Sequence, residues 1–278
     1  MKRMVSLACV LALAVSMMAG CSSGSEETKA AETTAETTGE TTAETGETAA
    51  ESAAAGNSGK LVMATEAGFA PYEYTEDGTT VIGVDVDIAN EIAKAMGKEL
   101  EIQNMTFDGA LLAVQQGVVD FAAAGISVTP ERQDEMDFSI EYATSKQVVV
   151  VKKDAGKIVS PEDINENSVV GVQMGTTGDF YCTDDLGCEV KQYSKYAEAA
   201  LELKNDKLDC IVMDSLPAEQ LVAANNDLEI LDGELFTDKY AIAVKKGNEE
   251  LLAQINEVLQ TLIDEGKIDE FTLNHTTK

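Results

Sequence analysis

From residue 60 onward, short apolar runs alternate with longer amphipathic segments. KLVMATEA (60–67), LEIQNM (100–105) and VVDFAAAG (118–125) have the length and composition of strands. Between the first two lies VIGVDVDIANEIAKAMG, a helix that Asp85 or Asp87 can cap and that Gly97 ends. Between the last two lies a second helix, FDGALLAVQQG, with Leu111, Leu112 and Val114 facing inward. The order strand, helix, strand, helix, strand predicts an open parallel α/β sheet.

The same order restarts after SKQVVVVKK (145–153). SVVGVQMG, EVKQYS and LDCIVMDS have the pattern of strands, and TTGDFYC and YAEAALELKNDK that of helices. FTDKYAIAVKK then reads as a strand and NEELLAQINEVLQTLIDEG as a long amphipathic helix. Two successive sheets of similar design predict two lobes, and we expect the last strand and helix to return to the first lobe. Lobe 1 is therefore expected over residues 60–142 plus 239–278, and lobe 2 over 143–238.

The first 59 residues have a different pattern. Residues 1–20 combine a charged start, an apolar run and small residues before Cys21, as in a secretory signal peptide. The residues before Cys21 resemble a bacterial lipobox, with Met18 where leucine is usual, which predicts a lipidated Cys21. The alternative is a secreted protein with an incidental cysteine. Residues 21–59 are rich in Thr, Glu, Ala and Gly and lack large apolar side chains, which predicts a disordered linker.

Charge and rare residue types exclude several classes of function. The chain has 50 acidic against 20 basic residues, which argues against nucleic acid or an anionic membrane surface as a partner. His275 is the single histidine, which argues against histidine-based triads and HExxH metal sites. Cys182 and Cys188 could close a short disulfide loop in an oxidising exterior, or remain thiols. Cys210 has the setting of a small core residue.

Arg132 is the only arginine apart from Arg3. With Thr129 as N-cap, Arg132 falls in the first turn of a helix, where a cation opposes the macrodipole at a cost of about 0.3–1 kcal/mol. A surface ion pair with Asp134 or Glu135 is one explanation, and it would contribute little. In a chain that otherwise uses lysine, a lone arginine favours bidentate recognition of a planar anion, a carboxylate above all.

Other polar and aromatic residues follow the predicted strands. The carboxyl ends of parallel strands meet at one edge of a sheet, where ligands of open α/β folds collect. Ser127 lies beside Arg132, and GTTGD places Thr176 and Thr177 at a helix N-terminus. An ammonium group could be bound by Asp214 or Glu66, although each could instead cap a helix. Phe69 and Phe107 could sandwich an aliphatic chain or simply be core residues.

The chain resembles the extracellular solute-binding proteins for polar amino acids, the capture subunits of ABC importers. The resemblance rests on ATEAGFAPYEYTEDG, GVDVDIANEIAKAMG, FDGALLAVQQGVVDFAAAGISVTPERQDEMDFS, GVQMGTTGDFY and LDCIVMDSLPAEQLV, in this order over residues 60–278. It implies a two-lobed, type II periplasmic-binding-protein-like fold with two hinge strands. It also implies ligand-binding roles for a set of residues: Arg132, Gly125 and Ser127 at the α-carboxylate, Asp214 at the α-ammonium, Phe69 and Phe107 as aromatic walls, Gln173 and Thr177 as lobe 2 contacts, and Glu66 at the ligand side chain.

The function that this resemblance implies is the capture of a polar or basic L-amino acid, such as glutamine, arginine, lysine or histidine. The protein would be a monomer without a cofactor, anchored by its lipid outside the cytoplasmic membrane of a Gram-positive cell, with a membrane permease as partner. Two alternatives stay open: a tethered sensor or adhesin of the same fold, and an enzyme resembling cyclohexadienyl dehydratases. Turnover of prephenate or arogenate would identify the enzyme.

Overall fold

The structure is a computed structural model that describes residues 59–276. Two sheets form the centres of the two lobes. The first has the order β4-β1-β5-β13-β6 and the second β11-β7-β10-β8-β9, with β12 also paired to β7. A short hairpin of β2 and β3 stands beside the first sheet. The strands are β1 Lys60–Thr65, β2 Tyr74–Thr75, β3 Val81–Ile82, β4 Glu99–Asn104, β5 Phe121–Ala122, β6 Met136–Phe138, β7 Ala143–Lys152, β8 Val169–Gln173, β9 Glu189–Tyr193, β10 Cys210–Asp214, β11 Leu228–Ile230, β12 Phe236–Tyr240 and β13 Ala243–Lys245.

The two sheets combine parallel and antiparallel pairs in a similar way. In the first sheet β1 runs parallel to β4 and β5, and in the second β8 runs parallel to β9 and β10. Antiparallel pairs involve β13 in the first sheet and β7 in the second. The parallel strands of each lobe point their carboxyl ends at one edge, and both edges face the cleft between the lobes. The predicted two-lobed α/β fold is confirmed.

Helices cover both sheets and supply most of the core. They are α1 Val84–Ala95, α2 Phe107–Gln116, α3 Pro130–Glu135, α4 Thr177–Phe180, α5 Tyr196–Lys204, α6 Ser215–Ala224, α7 Glu249–Asp264 and α8 Lys267–Thr276. The apolar stripe of α7 includes Leu251, Ile255 and Leu259, which pack in one cluster with Ile88 and Ile92 of α1. Helix α7 therefore returns to lobe 1. Within residues 59–276, no helix combines the length and the apolar character that a membrane crossing needs.

The chain crosses between the lobes at 139–142 and at 241–242, and the two crossing segments are hydrogen-bonded to each other. The Tyr142 N–H donates to the Tyr240 carbonyl at 2.9 Å, and the Ser139 N–H donates to the Ile242 carbonyl at 2.9 Å. On the lobe 2 side, β12 continues this pairing along β7. FTDKYAIAVKK, predicted as one strand, is therefore two strands in two different sheets.

Two further predictions from the sequence differ from the structure, and one helix was not predicted. Gly83, not an aspartate, is the N-cap of α1, and Asp85 is fully buried inside its first turn. Leu112 is 51% exposed, because α2 turns Phe107, Ala110 and Val114 towards the sheet instead. Helix α8 follows α7, where the sequence analysis assigned no element.

The three described cysteines are free thiols. Cys188 donates its N–H to the Cys182 carbonyl at 2.9 Å, so the loop between them is closed by a backbone hydrogen bond. Cys210 is fully buried, as predicted for a core residue. The predicted signal peptide, Cys21 and the linker lie outside the described residues.

Candidate functional site

All nine residues predicted to bind a ligand line one cavity between the lobes. The cavity volume is about 310 Å³, including open solvent at its mouth. The sequence-predicted members are Glu66, Phe69, Phe107, Gly125, Ser127, Arg132, Gln173, Thr177 and Asp214, and the cavity adds Glu73, Ala124 and Thr176.

Arg132 is held at the cavity wall by the start of α3. The Thr129 hydroxyl accepts the Arg132 backbone N–H at 3.3 Å, which confirms the predicted N-cap. The guanidinium donates through Nη1 to the Ser127 carbonyl at 2.6 Å and through Nη2 to the Gly175 carbonyl at 2.9 Å. Gly175 follows β8 in lobe 2, so this second bond joins the lobes. The guanidinium carbon also lies 5.5 Å from the Phe107 ring centroid, within range of a cation–π contact.

Burial alters the acid–base properties of this arginine without removing its charge. Only 6% of Arg132 is exposed. Burial lowers the pKa of Arg132 to about 10, and the nearby carboxylates of Asp238 and Asp214 oppose that shift. At neutral pH the cavity therefore contains a fixed cation. A buried cation bonded only to neutral carbonyls is well suited to an anionic ligand group.

Three carboxyl groups face this one cation across the cavity: Glu66, Glu73 and Asp214. Each is at most 5% exposed. Burial is the main cause that raises the pKa of Asp214 to about 6, raises the pKa of Glu66, and raises the pKa of Glu73 well above its usual value. Desolvation of this kind is relieved when a cation comes into contact with the carboxylates. The cavity therefore favours a ligand that carries more positive than negative charge.

Glu66 connects the lobes through two side chains of lobe 2. Its Oε2 accepts a hydrogen bond from Gln173 Nε2 at 3.0 Å. Lys195 Nζ lies 3.2 Å from its Oε1, but that oxygen has no hydrogen bond of good geometry, so we treat the contact as an ion pair. Lys195 is 43% exposed at its side chain, whereas Glu66 is 3% exposed. A ligand cation would meet a buried carboxylate whose present cationic partner is half in solvent.

Asp214 ends β10 and is bonded to a tyrosine of the crossing segments. Its Oδ1 accepts a short hydrogen bond from the Tyr240 hydroxyl. The Tyr240 ring packs edge-on against Tyr72, with centroids 5.0 Å apart. Asp214 is therefore positioned by the chain where it passes between the lobes.

Aromatic rings form the remaining walls. Phe69 stacks on Tyr72 and on Tyr196, with ring centroids 6.1 and 6.0 Å apart. Tyr196 belongs to α5 of lobe 2, so the Phe69 ring is covered from the opposite lobe. Phe107 begins α2 and faces Arg132. Phe69 and Phe107 therefore form the aromatic part of the cavity wall, beside the charged groups.

Two of the residues predicted to bind a ligand form hydrogen bonds to other protein groups instead. The Gly125 N–H donates to Asp85 Oδ2 at 2.9 Å and so does not point at a ligand. The Thr177 hydroxyl donates to Asp238 Oδ2 at 2.6 Å, so the group that Thr177 offers the cavity is its backbone at the first turn of α4, where N–H groups lack helical partners.

Glu73 and Lys195 are site residues that the sequence analysis missed. Glu73 lies in PYEY, seven residues after Glu66, and a backbone bridge between Phe69 and Glu73 folds the loop back over the cavity. The signal available in the sequence was a second glutamate in a short aromatic loop. Lys195 precedes α5 and has no periodic pattern that marks it.

We expect Gly125→Ala to damage the aromatic wall. Gly125 has φ +54°, and an added Cβ would lie 2.8 Å from Cε1 of Phe69. A left-handed conformation costs a non-glycine residue about 1–2 kcal/mol, and Phe69 must also shift. We expect a free energy of unfolding lowered by about 1–3 kcal/mol and weaker ligand binding, measured by denaturant unfolding and calorimetry. Gly78→Ala is the control, because Gly78 also has positive φ but an added Cβ meets nothing within 4 Å. Equal losses in both variants would contradict the role of Phe69 packing.

Comparison with known proteins identifies relatives over most of the chain. Residues 61–277 match the family model described as bacterial extracellular solute-binding proteins, family 3. The arginine-binding extracellular protein ArtP of Bacillus subtilis is 32% identical over 217 residues, covering 76% of this chain and 84% of that protein. A probable histidine-binding protein of Neisseria gonorrhoeae is 33% identical over 232 residues, covering 81% and 86%. The arginine-bound form of truncated ArgBP from T. maritima has a TM-score of 0.70 and 39% identity, covering 74% of this chain and 97% of that one.

Proposed function

We propose that this chain, which belongs to the bacterial extracellular solute-binding proteins of family 3, captures L-arginine outside the cytoplasm and delivers it to an ABC importer. Within this family the predicted capture of an amino acid is the function that the relatives share. The choice of arginine rests on one observation: three buried carboxyl groups face a single buried arginine in the same cavity.

Charge balance carries the argument. With all groups ionised, Arg132 and the half-exposed Lys195 against Glu66, Glu73 and Asp214 leave an excess of one negative charge in a desolvated space, which is costly unless a further cation pairs with it or a carboxyl group keeps a proton. A neutral amino acid brings one carboxylate and one ammonium group and leaves the excess unchanged. Arginine brings a second cation. Its planar guanidinium has five donors, enough to reach two carboxylates at once.

A binding pose follows from these charges. The ligand carboxylate would contact Arg132 and the first turn of α4, and the ammonium group would contact Asp214. The aliphatic chain would lie beside Phe69, and the guanidinium would lie between Glu66 and Glu73. These assignments agree with the roles that the family resemblance implies, and they add Glu73.

Closure of the lobes would couple binding to delivery. Arg132 reaches Gly175, Glu66 reaches Gln173, and Phe69 stacks on Tyr196, so three ligand-facing groups of lobe 1 already have a contact in lobe 2. A ligand stabilises the closed form by the additional contacts it makes with lobe 2.

We propose that a membrane permease recognises this form and that the protein acts as a monomer. We further propose that a lipid on Cys21 tethers the chain outside the membrane through the linker of residues 21–59. The curated relatives are binding proteins, and no observation on the cavity favours catalysis.

The test compares L-arginine with L-citrulline, which has nearly the same shape without the side-chain charge. Ligand at about 100 times its dissociation constant adds about 2.7 kcal/mol to stability, which corresponds to about 5–10 °C in melting temperature for a protein of this size. We expect this shift with arginine and a much smaller one with citrulline at equal concentration. Lysine, histidine and glutamine complete the panel. Equal responses to arginine and citrulline would remove the role of the acid groups, and no response to any basic amino acid would refute the proposal.

A further inference from the structure

We propose that Glu73 and Asp85 form a carboxyl–carboxylate pair that holds one proton while no cation is in the cavity and releases that proton when L-arginine binds. This inference rests on the proposed function, because it concerns the same cavity. It assigns a role to Asp85, a buried acid that does not line the cavity, and it makes ligand capture dependent on pH.

The two carboxyl groups are buried side by side. Glu73 is 1% exposed and Asp85 is 0% exposed. The Asp85 N–H donates to the carbonyl of Tyr72, the residue before Glu73, at 3.0 Å, which holds the two acids next to each other, and each shifts the pKa of the other. The buried Oε2 of Glu73 has no hydrogen-bond donor among the described residues. Two carboxylates in such contact cannot both be ionised cheaply, because like charges repel strongly at low dielectric. One shared proton removes the repulsion and gives an oxygen its partner.

The surroundings of Asp85 decide which of the two carries the proton. Asp85 accepts the Gly125 N–H at 2.9 Å on Oδ2 and the Tyr142 hydroxyl at 2.7 Å on Oδ1. Two donors favour the ionised form. Burial still raises the pKa of Asp85 to about 6, whereas burial and the neighbouring Asp85 raise the pKa of Glu73 well above its usual value. The proton therefore resides on Glu73, whose O–H donates to Asp85.

The groups around Glu73 are mostly acids and phenols, and none of them neutralises it. Lys195 pairs with Glu66 and not with Glu73. Each phenol that faces the pair stays protonated, since burial raises the pKa of all three tyrosines. The titratable groups that face the pair are Tyr72 on the same loop, Glu66 after β1, Asp214 at the end of β10 and Tyr142 in the first crossing segment, with Tyr240 packed against Tyr72. Arg132 lies in the same cavity, but its guanidinium is bonded to the Ser127 and Gly175 carbonyls.

The charge of the ligand side chain determines whether Glu73 keeps its proton. A guanidinium placed against Glu73 stabilises the ionised carboxylate, so the O–H bond of Glu73 breaks, its electron pair stays on the carboxylate, and the proton leaves to the buffer. A neutral amino acid provides no such cation, and the proton stays. Because the free site is protonated and the arginine-bound site is not, arginine affinity should rise with pH until Glu73 is ionised in the free protein.

Calorimetry in two buffers of different ionisation enthalpy measures the proton directly. At about pH 7, groups with a pKa of about 6 are mostly ionised and contribute little. We expect a net release of protons on binding L-arginine and near zero on binding L-citrulline, whose identical α-amino group cancels any contribution from that group. Glu73→Gln should abolish the release, and Glu219→Gln, the same change at an exposed position, should retain it.

Each result bears on one of the two proposals. Arginine that binds without proton release, or a release that persists in Glu73→Gln, overturns the shared proton and leaves the proposed function standing. Failure of arginine to bind the unmodified protein overturns both. If Glu73→Gln does not bind, infrared difference spectroscopy of the unmodified protein still decides: loss of a protonated carboxyl C=O band on adding arginine supports the pair, and no loss refutes it.

Discussion

Replacing Arg132 with lysine is expected to weaken L-arginine binding by about 10- to 100-fold without unfolding the protein. Hydrogen bonds to charged groups contribute about 1.5–3 kcal/mol each, and the substitution removes a guanidinium fork while retaining a positive charge. In the structure, Nη1 and Nη2 are fixed by the carbonyls of Ser127 and Gly175, which sets the plane of the group. Lysine can reproduce neither the plane nor both bonds. Isothermal titration calorimetry measures the loss.

The control variant is Glu131→Gln on the same helix. Glu131 is exposed and precedes Arg132, so its substitution should change affinity less than about twofold, as expected for a screened surface charge. Agmatine, which is arginine without its carboxylate, should bind the unmodified protein weakly and lose little from Arg132→Lys. An unchanged arginine affinity in Arg132→Lys, with circular dichroism unchanged, would show that Arg132 does not bind the carboxylate.

The residues that the sequence singled out line one cavity because several of them lie at strand ends. Glu66 follows β1, Gln173 ends β8 and Asp214 ends β10, and parallel strands bring their carboxyl ends to one edge. Arg132 was identifiable because it is rare and because Thr129 fixes its position in the first turn. These are local signals, and the residues that carry them come together once the sheet order is given.

Glu73 could not be placed in this way. It does not follow a strand of either main sheet, and its position depends on the bridge to Phe69 and on a close approach of α1. That approach needs Gly83, where an added Cβ would lie 2.0 Å from the Tyr72 carbonyl oxygen. With glycine at the N-cap, Asp85 is free to turn inward, which explains why the predicted cap became a buried acid. Periodicity contains no information about such a loop.

The crossing segments show a second limit. FTDKYAIAVKK has the apolar composition of one continuous strand, because buried residues are needed both in β12 and in β13. Only the pairing partners distinguish them: β12 pairs with β7, and β13 pairs with β5 and β6. Tyr240 ends β12, and its hydroxyl reaches Asp214. The sequence therefore predicted a strand over this segment but not the change of sheet within it.

Glu66→Gln is expected to lower L-arginine affinity by about 30-fold or more and to change L-citrulline affinity only slightly. Truncating one member of a desolvated charge pair costs about 2–5 kcal/mol, and 2 kcal/mol corresponds to about 30-fold. Glutamine keeps the volume and can still accept the hydrogen bond from Gln173, so the contact between the lobes at 3.0 Å is preserved. The difference between the two ligands, measured by titration calorimetry on both variants, isolates the charge.

Lys195→Gln is the matched variant, and we expect it to change arginine affinity in the opposite direction to Glu66→Gln. Lys195 Nζ lies 3.2 Å from Oε1 of Glu66. The lysine therefore competes with a ligand guanidinium for the oxygens of the Glu66 carboxylate. Removing that competitor in Lys195→Gln should strengthen arginine binding a few-fold at most, because a half-exposed lysine is screened by solvent. Opposite signs in Glu66→Gln and Lys195→Gln would place the ligand cation at Glu66. A loss of similar size in both variants would instead mean that the ion pair itself builds the closed cavity, and the ligand side chain would then have to be bound by Glu73 alone.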